Sequence, residues 1–219
     1  MGRHFRGVIF DMDGTLLDTL GDVEHCTNLV LARYGFPPLS RDYYGDHIHE
    51  GDENFVRKVL LHFGETDGLV GKVLVDMRRE YESHCDVFTR PFDQIRELLS
   101  VVRDLGLKTA VLSNKEDGLV KELARKMFPD NRFEEAIGTH GTEDRKPNPE
   151  NALKIASRFE ASPPEIILLG DSRIDMLTAL AAGMVPAGAL WGYGSAEELS
   201  ANGAEILVDK PLDLLAHLK

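Results

Sequence analysis

The run Arg6-Gly7-Val8-Ile9-Phe10 ends on Asp11-Met12-Asp13-Gly14-Thr15, and this junction constrains the fold more than any other stretch of the chain. A short apolar run with adjacent β-branched residues reads as a strand buried on both faces, the kind found inside a parallel sheet. It delivers two carboxylates at its C-terminal end. Side chains alternate along an extended segment, so residues two apart share a side. Asp11 and Asp13 can therefore face one site if both lie on the same side as the chain leaves the strand, and Gly14 then allows a sharp turn. Asp-Gly pairs also occur in plain surface turns, but the buried strand leading in argues against that reading.

The rest of the chain repeats the theme. Residues 20–34 carry Leu20, Val23, Thr27, Val30, Leu31 and Tyr34 at helical spacing, closed by Gly35-Phe36-Pro37-Pro38. Two further helical patterns run through Phe55, Val56, Val59, Leu60 and Phe63, and through Leu69, Val70, Val73, Leu74, Met77 and Tyr81. Residues 19–88 thus read as helix, with no strand-like run. Beyond them strands and helices alternate: helix 94–105, strand 108–112, helix 117–127, strand 135–138, helix 149–159, strand 165–169, helix 173–182, strand 185–190 and a last helix near 212–218. Such alternation implies an α/β fold, a doubly wound parallel sheet with helices on both faces. Ligands bind such sheets at the carboxyl ends of the strands. The expected division is a core of residues 1–18 and 89–219 with an all-helical cap, 19–88, inserted as a lid over the edge that carries Asp11.

Composition narrows the function classes. The formal net charge of −12 makes the chain a poor general binder of nucleic acid or of an anionic membrane surface. It would also repel phosphate at long range, so any phosphate site must be locally positive through a cation, a buried Lys or backbone N–H groups. Two cysteines, Cys26 and Cys85, are too few for a disulfide framework and read as reduced, partly buried thiols. No apolar run approaches the roughly 20 residues of a membrane span. Met1-Gly2 lacks the Ser or Thr of a myristoylation signal, and the N-terminus runs straight into a strand pattern. The expected compartment is the cytoplasm.

Four segments carry candidate chemistry. Asp11 and Asp13 suit a division of roles, one an ionised nucleophile or metal ligand and the other cycling its proton. Ser113-Asn114, after Val111-Leu112, can hold a phosphoryl oxygen, although taken alone a helix N-cap is the better reading. Lys146, in Arg145-Lys146-Pro147-Asn148-Pro149, is a point charge suited to a transferring phosphoryl group, although taken alone a solvated Lys before a helix is the better reading. Asp171, in Gly170-Asp171-Ser172-Arg173-Ile174-Asp175, can complete an oxygen-ligand magnesium site with Asp11. Asp175 can hold Lys146 or a metal-bound water, with N-capping by Asp171 or Ser172 and a surface Asp175 as the plain alternative. The order of the four, each at or just past a strand end, is more specific than any one of them. His47, His49 and His62 lack a ligand pattern and read as a polar loop. Trp191-Gly192-Tyr193-Gly194 reads equally as a ligand stack or as a loop with structural glycines.

With these residues in view, the chain resembles the haloacid dehalogenase superfamily of phosphatases over nearly its whole length, and within it the phosphoglycolate phosphatase group. The supporting segments are FDMDGTLLDT (10–19), LSNK (112–115), RKPNPE (145–150), LGDSRIDMLTALAAGM (169–184), WGYG (191–194) and the tail at 203–209. The resemblance implies a Rossmann-like catalytic core and a four-helix cap. It implies Asp11 as nucleophile and Asp13 as acid/base, with Lys146 at the phosphoryl group together with Thr15, Ser113 and Asn114. It implies Mg2+ held by Asp11, the Asp13 carbonyl and Asp171, with Asp175 in support. The second Asp fits a phosphatase rather than a dehalogenase. The implied reaction is hydrolysis of a small phosphorylated metabolite, foremost 2-phosphoglycolate, by a monomer or homodimer. A pyrophosphatase, a sugar-phosphate phosphatase and a mutase share these motifs. A phosphoryl-accepting receiver domain also places an Asp at a parallel-sheet edge but has no large helical insert after its first strand. A binding protein on a dead scaffold would lack a catalytic group, and none is missing.

Overall fold

The computed structural model describes residues 4–45, 47–48, 51–65 and 68–218. The chain divides into two compact units, residues 1–18 with 91–219 and residues 19–90.

The first unit is built on a six-stranded parallel sheet in the order β5-β4-β1-β6-β7-β8. Its strands are β1 (Gly7–Phe10), β4 (Lys108–Glu116), β5 (Glu135–Thr139), β6 (Ile166–Gly170), β7 (Val185–Ala189) and β8 (Ile206–Val208), while the two-residue strands β2 (Leu17–Asp18) and β3 (Arg90–Pro91) lie outside that sheet. All four residues of β1 are buried, and it pairs on both sides, with Phe10 opposite Val111 of β4 and Leu169 of β6. The helices are α5 (Ile95–Asp104), α6 (Asp117–Met127), α7 (Glu150–Phe159), α8 (Arg173–Ala182) and α9 (Ala196–Ala201). Alternate strand residues Ile9, Ala110, Leu112, Ile166 and Leu168 form one buried cluster with Ile155 and Phe159 of α7 and Ala179 of α8. By the period of two, Val8, Phe10, Val111, Ile167 and Leu169 point to the opposite face, and all are buried too. Each such side chain contributes about 1.5–3 kcal/mol. With apolar groups filling both faces, polar groups collect where the strands end.

The second unit holds α1 (Leu20–Arg33), α2 (Arg41–Gly45), α3 (Asp52–His62) and α4 (Val70–His84), with no strand among its described residues before Arg90. Helix α1 packs on α2 and α4, and α3 packs on α4. Its buried polar groups close loops. Asn28 receives the Leu39 N–H at 2.9 Å and donates to the Leu39 carbonyl at 3.1 Å. Asp22 receives the Phe88 and Thr89 N–H groups, each at 2.8 Å. Cys26 and Cys85 are free and buried. Burial, with Asp22 and Glu80 nearby, pushes the Cys26 thiol up to about 12.

The structure departs from expectation in places. Strand β4 continues through Ser113-Asn114 to Glu116, with an irregular register between Leu112 and Glu116. Glu116, not Ser113 or Asn114, caps α6, accepting from Leu119 N. Helix α9 and strand β8 occupy a stretch with no expected element, and the final helix is a 3-10 run, Pro211–His217. His47 and His62 both pack edge-on against Tyr43, with ring centroids 4.7 and 5.0 Å away. His49 and Met1-Gly2 lie outside the described residues. Among the described residues no helix is long and apolar enough to cross a membrane.

Candidate active site

Asp11 stands one residue past β1, where its N–H extends the ladder to the Leu169 carbonyl at 2.9 Å. The chain then turns back within six residues, closed by Leu17 N to the Met12 carbonyl at 2.8 Å and Gly14 N to the Leu17 carbonyl at 2.9 Å. Gly14 has φ +78°, and a Cβ there would collide with the Asp171 carboxylate, so both backbone conformation and space demand glycine.

Lys146 lies between two carboxylates. Its Nζ is 2.7 Å from Asp11 Oδ1 and 2.6 Å from Asp175 Oδ1, and only 4% of its side chain is exposed. The solvated-lysine alternative therefore fails. Burial alone would lower the Lys146 pKa, but Asp11 and Asp175 outweigh it and hold the ammonium above its ordinary value. The backbone of Lys146 is fixed by Asn114, whose Oδ1 accepts from Lys146 N at 2.7 Å and whose Nδ2 donates to Lys146 O at 3.2 Å. The Lys146–Pro147 bond is cis.

Asp175 is fully buried, contrary to the surface alternative, and Ser172 rather than Asp171 caps α8. Ser172 donates its N–H and its hydroxyl to Asp175 Oδ2, at 3.1 and 2.6 Å. Asp171 is also fully buried, with Oδ1 accepting from the Thr15 hydroxyl at 3.1 Å and Oδ2 from Tyr193 N at 2.8 Å. Asp11, Asp171 and Asp175 each place a carboxylate oxygen within 4.8 Å of the other two. Burial first, then Asp175, holds the Asp11 carboxyl well above the ordinary carboxylate range, with Lys146 opposing and Asp171 adding.

Asp13 is a quarter exposed and faces β4. The Ser113 hydroxyl lies 3.5 Å from its Oδ2, and Lys115 Nζ lies 3.1 Å from its Oδ1. Lys115 was absent from the expected site. Because β4 runs on to Glu116, Ser113 and Lys115 are two apart on one extended strand and share a side.

All eight expected residues thus lie at the C-terminal edge of the sheet or just past it, and hydrogen bonds and ion pairs join them. The Thr15 hydroxyl donates to Asp171, and the Asn114 amide is bonded to the backbone of Lys146.

Comparison with known proteins places this arrangement. A curated phosphoglycolate phosphatase of Neisseria meningitidis is 29% identical over 205 residues, 92% of this chain and 87% of the relative. The N-acetylmuramic acid 6-phosphate phosphatase of Pseudomonas aeruginosa is 30% identical over 214 residues, 96% of this chain and 93% of the relative. A crystal structure from Lactobacillus delbrueckii subsp. bulgaricus superposes with a TM-score of 0.90 at 27% identity, covering 98% of each chain. The sequence profile described as haloacid dehalogenase-like hydrolase matches residues 8–189, and the chain belongs to that family.

Proposed function

We propose that this chain is a magnesium-dependent phosphatase that hydrolyses small phosphate monoesters through a phosphorylated Asp11, with 2-phosphoglycolate as the leading substrate. The observation that carries the reading is the buried Lys146 ammonium held between Asp11 and Asp175, beside a second, more open carboxylate on Asp13.

The donor set fits Mg2+. The ion prefers hard oxygen ligands, and three buried carboxylates converge here around one lysine. In line with the family resemblance, Asp11, Asp171 and the Asp13 carbonyl are the groups that would hold the ion, and Asp175, bonded to Lys146 and Ser172, would support them. When bound, the cation would neutralise part of the phosphate charge and offset the burial and like charge that raise the Asp11 pKa.

In the first step an Asp11 oxygen attacks phosphorus in line as the bond to the leaving-group oxygen breaks. Asp13 as acid gives that oxygen its proton. In the second step water attacks the aspartyl phosphate, Asp13 takes the proton from the water, and phosphate leaves as the Asp11 carboxylate is restored. Lys146 and Ser113 stabilise the charge on the transferring group, by ammonium and hydroxyl respectively. Lys115 and Ser113 hold Asp13 toward that group.

The names of the relatives support the substrate class. Several similar curated proteins are phosphoglycolate phosphatases. A second reading, a sugar-phosphate phosphatase, is favoured by the Pseudomonas aeruginosa relative, which matches at similar identity over more of the chain. The acidic chain argues against nucleic acid and an anionic membrane surface as partners.

The test is phosphate release with Mg2+, comparing 2-phosphoglycolate, N-acetylmuramic acid 6-phosphate, pyrophosphate and simple sugar phosphates. The expected result is a kcat/KM for 2-phosphoglycolate at least about tenfold above the rest. Preference for another ester would keep the Asp11 chemistry and discard that substrate. No release from any of them would overturn the phosphatase reading.

A further inference from the structure

The loop after β7 contributes no group to the chemistry above, yet its hydrogen bonds tie it to Asp171 and to the segment that follows Asp11. Tyr193 N donates to Asp171 Oδ2 at 2.8 Å. The Trp191 indole N–H donates to the Thr15 carbonyl at 2.9 Å, and the hydroxyl of the same threonine donates to Asp171 Oδ1 at 3.1 Å. The Tyr193 hydroxyl reaches Asp18 Oδ1 at 3.1 Å. The loop is therefore tied at two points to the segment that follows Asp11, and the carboxylate of Asp171 is gripped between them. A Cβ at residue 192 would collide with both Asp171 and the Gly14 carbonyl, so glycine lets the loop lie directly on the junction.

One donor lands on each oxygen of Asp171, which fixes the rotation of the carboxylate plane. Outer-shell donors of this kind set the orientation of an ion ligand, and removing one costs about 10–100-fold in metal affinity. We propose that Thr15, Trp191 and Tyr193 form a positioning frame for the Mg2+-binding carboxylate Asp171, so that cation occupancy is coupled to the environment of Trp191. The inference rests on the assignment of Asp171 to Mg2+. The ligand-stack reading of Trp191-Gly192-Tyr193-Gly194 gives way to it, because the indole N–H and the Tyr193 amide are directed into the protein.

Trp191 is the only tryptophan in the chain, so its emission has a single source. Titration of the metal-free full chain with Mg2+ should change that emission saturably. Its midpoint should match the midpoint of the Mg2+-dependent rise in Tm. Thr15→Val should move the Tm-derived midpoint about 10–100-fold higher, Thr15→Ser should restore it, and Trp191→Phe should raise it less. A wild-type midpoint in Thr15→Val overturns the frame, and an emission that ignores a saturating Mg2+ titration overturns the coupling. Should Thr15→Val fail to fold, Trp191→Phe decides, with an unchanged midpoint overturning the proposal. The outcomes separate from those of the phosphatase reading. Shifted midpoints in a protein that hydrolyses no ester would keep the frame and discard that reading. Hydrolysis with an unshifted Thr15→Val midpoint would do the reverse.

Discussion

Asp22 in the helical insert and Asp171 at the end of β6 are the same residue type, both fully buried, with opposite surroundings. Asp22 takes two backbone N–H groups and closes the chain around Phe88 and Thr89. Asp171 lies within 4.8 Å of two other carboxylates. A buried charge is tolerated when donors match it and costly when like charge surrounds it. The insert uses its acid to fasten backbone, whereas the core gathers acids where a cation would relieve them. Burial alone therefore does not mark a functional residue; the sign of the neighbouring charge does.

This contrast can be broken at several residues. Asp11→Asn should lower phosphate release by at least about 10⁴-fold, because the nucleophile is lost. It should leave the metal-free protein at neutral pH as stable as wild type or more so, since one of three crowded acids becomes neutral; a large fall in Tm would refute the crowding. Lys146→Met should remove about 10³-fold of activity and destabilise the fold by about 3–5 kcal/mol, because two buried carboxylates lose a shared cation. Urea unfolding with and without Mg2+ should show the ion restoring part of that loss.

The direct comparison is Asp22→Asn against Asp171→Asn. The first should cost about 1–3 kcal/mol, because an amide presents N–H to a backbone N–H that needs an acceptor. The second also costs an acceptor, for Tyr193 N, but relieves crowding by like charge, so it should cost less than the first in the metal-free protein while abolishing the Mg2+-dependent rise. Equal losses of stability in the two variants would erase the distinction. Lys115→Met should lower kcat about tenfold with little change in Mg2+ affinity, since its ammonium pairs with Asp13.

Asp117 gives the smallest effect and a pH signature. Burial raises its pKa, but the Lys121 hydrogen bond, the Gly138 N–H and the nearby charges outweigh burial and hold it below the ordinary value. A depressed folded-state pKa stabilises above the unfolded value, about 3.9, and that stabilisation is lost as pH falls through the folded value. Asp117→Asn should therefore cost about 1 kcal/mol at neutral pH, and the gap to wild type should close below about pH 4. A gap that persisted at lower pH would mean that the charge is not what matters.

Much of this was legible in the residues. The runs at 6–10 and 166–170 are apolar and short, and they became the two central strands; helices α6 and α8 fall on the expected residues because their apolar spacing is regular. The polar end of β4 was not legible as strand, since Ser113 through Glu116 look like a turn once backbone pairing is ignored, and Lys115 was lost with it. Strand β8 holds three residues, too few for an alternation to show. The convergence of Asp11, Lys146, Asp171 and Asp175 was readable from strand-end placement. The partners of Thr15 and Asn114 were not, because each is chosen by a segment 156 or 32 residues away.

The sheet order has a consequence for synthesis. Strand β1 is made early, yet its two neighbours end at residues 116 and 170. At roughly 5–20 residues per second, the interval from residue 10 to residue 170 is about 8–30 s on the ribosome. Both edges of this apolar strand are bare until β4 is made, and one edge until β6 is made, the condition most open to pairing with a neighbour. The helical insert emerges after β1 but before either of these neighbours. Yield in a cell should then respond more to translation speed and chaperone supply than the finished protein's stability would suggest.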